Sequence, residues 1–182
     1  MSTIAVVLLR AVNVGGRNKL PMARFRDVLA DAGFANVRTY IQSGNAVVES
    51  PVEDAASISA AVHDALVAGV GLDLDVMVRT LAGLAMAVSS NPFLTEGASP
   101  EHLHLICCNG APTIPFDVAA FAPESAKVVG PNVYLLLPNG VGRSKFALEV
   151  SKRLGVPGTM RNWRTMSALL ALADNSKENE TS

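Results

Sequence analysis

Hydrophobic and polar positions follow different periods along the chain, and each period predicts an element. The unbroken apolar run in "TIAVVLLR" predicts a buried strand over residues 3–10. Apolar residues at helical spacing in "MARFRDVLADAGF" predict a helix, and "NVRTYIQSGNAVVES" predicts a hairpin that turns at Ser43-Gly44-Asn45. Pro51 opens a second predicted helix, after which "LDLDVMVRT" alternates as a strand.

The second half of the chain nearly repeats this order after a third predicted helix at Leu81–Ser90. "HLHLICC" predicts a strand, "PFDVAAFA" a short helix, "AKVVG" and "NVYLLLP" a hairpin, and "SKFALEVSKRL" and "WRTMSALLALAD" the last two helices. Strand, helix, strand, strand, helix, strand is the split βαβ pattern. We therefore predict an α+β fold of two ferredoxin-like subdomains with mainly antiparallel sheets, at residues 1–92 and 93–174, followed by a polar tail at 175–182.

Composition places the chain among globular proteins with a large core. Of its 182 residues, 49% are hydrophobic and 17% are charged, which excludes a disordered chain. The N-terminal apolar run is too short for a bilayer and lacks a basic segment before it and a cleavage site after it, so we expect a cytoplasmic protein without membrane contact. Cys107 and Cys108 are neighbours, where a disulfide would be strained, so we expect reduced thiols that pack in the core.

The positive charges are segregated along the sequence. Two stretches, Arg10–Arg38 and Arg143–Arg164, hold 12 of the 15 Lys and Arg residues but only 3 of the 16 acids. An even spread would place about a quarter of the cations there. If the two stretches meet in space, they form a local positive field in a protein that is otherwise acidic.

Two loops that carry some of these cations suit an anionic ligand. "NVGGRNK", from Asn13 to Lys19, follows a strand and precedes a helix, and Gly15 and Gly16 let the backbone approach a ligand. A flexible crossover loop with solubilising charges is the alternative interpretation.

The second loop, "NGVGRSK", precedes a predicted helix. Ser144 is the predicted N-cap, and Arg143 and Lys145 flank a helix end whose dipole disfavours each cation by ~0.3–1 kcal/mol. A bound anion would offset this unfavourable placement through the free amides and both side chains.

The segment "GTMRNWRT" predicts a third basic turn. Thr159 would cap it, and Arg161, Asn162 and Arg164 would surround the start of the last helix. Trp163 either anchors that helix in the core, which we favour, or stacks on a flat ligand group.

One face of the predicted hairpin is polar. Arg38, Tyr40 and Gln42 lie on it, and Thr39 and Ile41 lie on the opposite face. The polar face either lines a ligand cleft or forms the solvent face of the sheet.

Catalytic and metal sites have weaker support. His102 and His104 share a predicted strand face without an obvious third ligand. Asp73 and Asp75 share another strand face without a general-acid partner. The sequence therefore assigns no catalytic residue, no metal and no cofactor.

Three segments carry a resemblance that spans nearly the whole chain: "LLRAVNVGGRNKLPM", "GFANVRTYIQSGNAV" and "GVGRSKFALEVSKRLGVPGTMRNWRT". They resemble the bacterial family labelled domain of unknown function 1697. The resemblance implies an α+β fold of two subdomains and supplies no reaction. Ala11 replaces a glycine that is usual in the family, and Arg164 replaces a small polar residue such as Asn. The family's motif residues fall on Arg10, Asn13, Gly15, Gly16, Lys19, Arg38, Tyr40, Ser43, Gly44, Asn45, Gly142, Arg143, Ser144, Lys145, Arg161, Asn162 and Trp163.

We therefore expect a protein that binds a small anionic, phosphate-bearing ligand in a basic cleft between the subdomains. An RNA-binding or single-stranded nucleic-acid-binding protein is the alternative, disfavoured by a net charge of -1 and only 5% aromatic residues. A non-enzymatic regulatory or assembly module is the third hypothesis, in which "NVYLLLP" pairs across a dimer if it lies at a sheet edge. Monomer and homodimer both remain open. The predicted ligand-binding residues are Asn13, Gly15, Gly16, Lys19, Arg38, Tyr40, Ser43, Asn45, Arg143, Ser144, Lys145, Arg161, Asn162 and Trp163.

Overall fold

The computed structural model describes the backbone of residues 2–180 and the side chains of residues 2–176. The fold is α+β, with two four-stranded antiparallel sheets. The strands are β1 Thr3–Leu9, β2 Ala35–Tyr40, β3 Asn45–Ser50, β4 Val76–Thr80, β5 Leu103–Cys108, β6 Ser125–Val129, β7 Asn132–Leu136 and β8 Gly158–Asn162. The α-helices are α1 Met22–Asp31, α2 Ala55–Val70, α3 Leu81–Ser89, α4 Pro92–Thr95, α5 Lys145–Lys152 and α6 Trp163–Glu180. Short 3-10 helices span Pro100–His102, Val118–Phe121 and Val141–Arg143.

The chain divides into two compact units. Unit 1 comprises the residues up to Met86 together with those from Ala168 onward, and unit 2 spans Ala87–Ser167. The part of α6 from Ala168 onward thus groups with unit 1, whereas our predicted division assigns the closing helix to the second subdomain. A hydrogen bond from Arg38 Nη2 to the Leu172 carbonyl, 2.9 Å long, is one contact that attaches this part of α6 to unit 1.

In unit 1 the strand order is β2-β3-β1-β4, and all neighbouring strands are antiparallel. β1 occupies an inner position, and the side chains of Ala5–Leu9 are fully buried. This position explains the unbroken apolar run, because a strand without a solvent-exposed face has no alternating polar positions. Helices α1 and α2 contribute Phe25, Leu29, Ile58 and Leu66 to the core of this unit.

Helix α2 begins at Ala55, so our prediction that Pro51 opens it is wrong. The reason is local capping: Asp54 accepts a hydrogen bond from the Ser57 amide at 2.8 Å. Hydrogen bonding to Ser57 also lowers the pKa of the Asp54 carboxyl. Gly71, with a φ of 70°, closes the helix in the left-handed conformation.

The residues before β4 are irregular, so Asp73 and Asp75 do not share a strand face as predicted. Asp75 Oδ2 pairs with Arg10 Nη1 at 3.0 Å. Asp73 lies 3.0 Å from His63 Nε2, and hydrogen bonds to Asp73 and then Asp64 raise the pKa of His63. Each of the two aspartates therefore has a structural partner.

Unit 2 repeats the strand order of unit 1 as β6-β7-β5-β8, again with antiparallel neighbours. The 3-10 helix Val118–Phe121 stands where unit 1 has α1 in the order of elements. The core of unit 2 contains three packed rings, Phe116, Phe121 and Phe146, whose centroids are 5.1 to 6.2 Å apart. α5 therefore packs in the core of unit 2 through Phe146.

Two further expectations for unit 2 are wrong. "GTMRNWRT" is not a turn capped by Thr159, because it contains β8, in which Thr159 pairs with Cys107 of β5. "NVYLLLP" is not at a sheet edge, because β7 lies between β6 and β5 with both backbone sides occupied. β7 therefore cannot pair across a dimer as the assembly hypothesis required.

The two histidines near β5 are in different environments. His102 belongs to the 3-10 helix that precedes β5, whereas His104 lies within the strand and is only 7% exposed. The predicted pair on one strand face is therefore wrong. Burial lowers the pKa of His104, because the apolar surroundings disfavour its charged form.

The closing helix starts at a side-chain cap and extends beyond its predicted end. Asn162 Oδ1 accepts the Thr165 amide at 2.8 Å. The backbone is helical through Glu180, so α6 continues into the segment that we assigned to a polar tail. Residues 181 and 182 lie outside the described part of the chain.

Gly44→Ala should destabilise the protein by roughly 2–4 kcal/mol in urea unfolding. Gly44 has a φ of 73°, and a Cβ atom there would lie 2.8 Å from both Leu9 Cβ and Val12 Cγ1. Gly71→Ala is the matched control, because Gly71 has a φ of 70° with no atom within 4 Å of the added Cβ. It should lose only the ~1–2 kcal/mol of left-handed strain. Equal losses in the two variants would show that close packing at Gly44 is unimportant.

His104→Gln should make stability less sensitive to acid. The unfolded chain protonates His104 near its ordinary pKa of 6.5, while the native state resists protonation. The native state therefore has its full stability above that pH and loses part of it as the pH falls. Urea unfolding at about pH 7.5 and about pH 5.5 should show a smaller loss for His104→Gln than for the wild type.

His102→Gln is the control for this comparison, because His102 is partly exposed outside the strand. It should retain the acid-induced loss of the wild type. A loss in His104→Gln as large as that in the wild type would overturn the assignment.

Candidate functional site

The first basic loop turns tightly at its two glycines. Gly15 and Gly16 have φ values of 58° and 77°, and the Arg17 amide donates to the Val14 carbonyl at 3.0 Å. Two consecutive left-handed residues are typical of a type I′ turn, which glycine adopts without strain. Arg17 and Lys19 are exposed, and Val14 at the turn is 63% exposed. The turn thus presents cations and bare backbone at the surface of unit 1.

Asn13 fastens this loop to the β2–β3 turn. Its Oδ1 accepts the Leu20 amide at 2.8 Å, and its Nδ2 donates to the carbonyls of Leu20 at 2.9 Å and Gln42 at 2.8 Å. Both polar atoms of the Asn13 side chain form hydrogen bonds within the protein. Asn13 therefore fixes the position of the loop. The structure therefore brings together two of the predicted site segments, the "NVGGRNK" loop and the hairpin turn.

The hairpin turn is held by a buried amide. Asn45 is fully buried, and its Nδ2 donates to the Tyr40 carbonyl at 3.1 Å and to Ser43 Oγ at 3.0 Å. The Gly44 carbonyl accepts the Leu9 amide at 2.8 Å. Ser43 and Asn45 therefore stabilise the conformation of the turn.

Arg38 lies in a different part of unit 1. Besides its bond to Leu172, it lines a groove with Asn36, Val37, Glu49 and Ser176. No residue of the 13–19 loop lines that groove. Arg38 therefore stabilises the attachment of α6 rather than the basic loop.

The basic turn of unit 2 begins a helix as predicted. Ser144 caps α5, since its Oγ accepts the Ala147 amide at 2.9 Å, which confirms the predicted N-cap. Arg143 ends the preceding 3-10 helix, Lys145 is the first residue of α5, and both are exposed. Two cations thus flank the positive end of the α5 dipole.

The cations of the two basic stretches fall into two classes. Some have partners: Arg10 pairs with Asp75, Arg153 pairs with Glu149 at 2.9 Å, and Arg24, Arg26 and Arg38 donate hydrogen bonds to unit 1. Others have no ion pair or hydrogen bond among the side chains of residues 2–176: Arg17, Lys19, Arg143, Lys145, Lys152 and Arg164. The charge segregation seen in the sequence therefore overstates the number of cations open to a ligand.

Arg161 lies in β8 and is largely withdrawn from solvent. It donates to Thr159 Oγ1 at 2.7 Å and to the Met160 carbonyl at 2.9 Å. Burial lowers the pKa of Arg161 to about 10, and the nearby Cys107 sulfur acts in the opposite direction. Arg161 thus has structural roles that its position in the sequence did not indicate.

The other two residues of this predicted turn are also explained by the fold. Asn162 caps α6. Trp163 is 6% exposed, which favours its role as a core anchor over a stacking role.

Within the described part of the chain, no three His, Cys, Asp or Glu side chains lie close enough together to hold a metal ion. No described helix combines the length and apolar character that a membrane span requires. The geometry that remains chemically distinctive is the set of exposed cations beside Gly15-Gly16 and at the start of α5.

Ala11→Gly should stabilise the protein by about 0.5–1 kcal/mol in urea unfolding. Ala11 has a φ of 56°, in the left-handed region that disfavours a side chain, which explains the glycine usual at this position in the resembling family. Asn13→Gly is the comparison, because Asn13 also has a positive φ, of 54°, but its side chain holds the loop. That variant should be destabilised. Destabilisation of both variants would show that strain at Ala11 is absent.

Comparison with known proteins agrees with this architecture. A family model described as Protein of unknown function (DUF1697) matches residues 1–134. Among solved structures, the conserved bacterial protein SP0830 from Streptococcus pneumoniae superimposes with a TM-score of 0.72, over 95% of this chain and 99% of that chain, at 19% identity. At that identity the likeness shows the fold alone. No curated protein matches the sequence. The family match covers the first two of the three motif segments, and the third, at residues 140–165, lies outside the matched range. Because the match spans more than half of the sequence, it confirms the resemblance: this chain belongs to the DUF1697 family.

Proposed function

We propose that this protein binds a small anionic, phosphate-bearing ligand through the exposed cations of its basic loops. The observation that carries the proposal is the placement of Arg143 and Lys145 at the start of α5 without any partner among residues 2–176. The helix dipole disfavours each of them by ~0.3–1 kcal/mol. The fold therefore gains nothing evident from these two charges, whereas an anion would turn both into favourable contacts.

The backbone at the start of α5 supports the same ligand class. The first amides of a helix have no carbonyl partner within it, and the Ser144 side chain engages only the amide of Ala147. A phosphate has several acceptor oxygens, so it can accept hydrogen bonds from free amides and from a guanidinium at once. Such charge-assisted hydrogen bonds are roughly twice as strong as neutral ones.

The glycine turn of unit 1 has features of its own that suit the same ligand class. Gly15 and Gly16 have open space around the position of a Cβ atom, so their backbone is accessible. Arg17 and Lys19 follow without partners among the described side chains. A single cleft that uses both basic loops stays a prediction.

The positions of the aromatic residues favour a small ligand over single-stranded RNA. All six Phe, two Tyr and one Trp lie within the described residues, and six of these nine rings are buried while Tyr40, Phe116 and Phe121 are half-buried. Tyr134 is fully buried and donates its hydroxyl proton to the Ala87 carbonyl. Sheets that bind single strands rely on exposed rings for base stacking, so this surface lacks their main contact.

We also infer that both units are ferredoxin-like. Unit 1 has the element order strand, helix, strand, strand, helix, strand. The shared strand orders β2-β3-β1-β4 and β6-β7-β5-β8 support the same assignment for unit 2.

Thermal unfolding with inorganic phosphate, sugar phosphates and nucleotides tests the proposed function. A ligand at about 100 times its Kd should stabilise the native state by ~2.7 kcal/mol. Arg143→Ala should weaken the binding of that ligand by about tenfold or more, because one charge-assisted contact is lost.

Lys152→Ala is the matched control. It also removes one exposed cation without a partner among the described side chains, but from the other end of α5. It should bind like the wild type. The proposal fails if no anion raises the unfolding temperature, or if the two variants lose affinity equally. Binding only to single-stranded RNA, with a steep dependence on salt, would favour the nucleic-acid hypothesis instead.

A further inference from the structure

A groove in unit 2 runs along α5, and the two unpaired cations, Arg143 and Lys145, each adjoin one of its lining residues in the chain. It has a volume of about 380 Å³ and begins at Val141 and Gly142, next to Arg143 in the chain. Leu148 lines it one turn into α5, and Met160 of β8 forms its other wall. Its size falls within the range of small-molecule sites, about 300–1,000 Å³.

Most of the surface that lines this groove is apolar, and Ser144 and Ser151 are its polar members. Val141 is 44% exposed and Leu148 is 52% exposed, although both are large hydrophobic residues. Their exposure leaves apolar surface in water that the fold itself does not bury. Apolar walls next to exposed cations are complementary in charge and polarity to a molecule with an anionic head and an apolar body.

Gly142 provides an independent observation about the same groove. Unlike Gly140, whose φ is 80°, Gly142 has no left-handed backbone conformation. No atom lies within 4 Å of the position that its Cβ would occupy. Neither backbone strain nor packing therefore requires glycine here, and a side chain at this position would add volume at the mouth of the groove.

We propose that the groove along α5 binds an amphipathic anion, whose phosphate head contacts Arg143 and Lys145 and whose apolar body lies against Leu148 and Met160. The proposal rests on the proposed function, because the head group occupies the same anion site. It adds the ligand class: a phosphate monoester with an apolar portion, rather than a fully polar sugar phosphate or inorganic phosphate.

Three probes distinguish the contribution of the charged head to the affinity from that of the apolar body: inorganic phosphate, hexyl phosphate and 1-hexanol. Hexyl phosphate should bind at least tenfold more tightly than inorganic phosphate in calorimetric titration, because each methylene buried against Leu148 adds several-fold in affinity. 1-Hexanol should bind more weakly than hexyl phosphate by a similar factor, since it lacks the charged head.

Variants of the protein test whether residues of the groove make these contributions to the affinity. Leu148→Ser should reduce the affinity for hexyl phosphate by about tenfold while leaving that for inorganic phosphate unchanged. Val128→Ser is the matched control, because Val128 is 42% exposed on β6 and does not line the groove. Gly142→Val should also weaken hexyl phosphate binding, and urea unfolding of the same variant checks that the fold is intact.

The outcomes distinguish the two proposals. Equal affinities for hexyl phosphate and inorganic phosphate, both sensitive to Arg143→Ala, would overturn the amphipathic ligand and leave the proposed function standing. Absence of binding by every anion would overturn both. Equal affinities for hexanol and hexyl phosphate, with no effect of Arg143→Ala, would show that the groove binds only apolar groups. That outcome would also overturn the inference.

Discussion

The inner position of β1 in the unit 1 sheet constrains the loop that carries the first basic segment. The amide of Leu9, the last residue of β1, bonds the Gly44 carbonyl at 2.8 Å, so the chain leaves the strand directly against the hairpin turn. Only a residue without a side chain fits at position 44, where a Cβ would be 2.8 Å from Leu9 and Val12. Asn13 then ties the loop to the same turn. The cations beyond it therefore extend from a fixed base rather than from an unsupported loop.

Charge in this protein has two different uses. Arg10 forms an ion pair with Asp75, and Arg38 donates to a carbonyl of α6, so these cations connect segments far apart in the chain. Arg143 and Lys145 make no such connection among residues 2–176. A count of charges cannot separate the two classes, because the partner of Arg10 lies 65 residues away. When only the cations without a partner are counted, the candidate anion site contains fewer residues than the sequence indicated.

Much of the fold could be predicted because the signals are local. The apolar run of β1, the hairpin turn at Gly44 and the Ser144 cap each depend on a few neighbouring residues. β8 could not be predicted in the same way, because Gly158–Asn162 lacks apolar alternation and becomes a strand by pairing with β5. The candidate site shows the same division: its glycines and cations are visible in the sequence. The groove beside α5 exists only after Met160 is brought against that helix.

The glycines of this protein differ in whether the fold requires a residue without a side chain. Gly44 is required by close packing, and Gly15 and Gly16 are required by their left-handed backbone. Gly142 has neither requirement, yet it lies at the mouth of an apolar groove and precedes an unpaired arginine. Exposed Leu148 is likewise unexplained by the stability of α5, whose buried face is formed by Phe146, Ala147 and Val150. Features that the fold does not need, placed near one another in the chain with complementary chemistry, are the basis of the proposed ligand site.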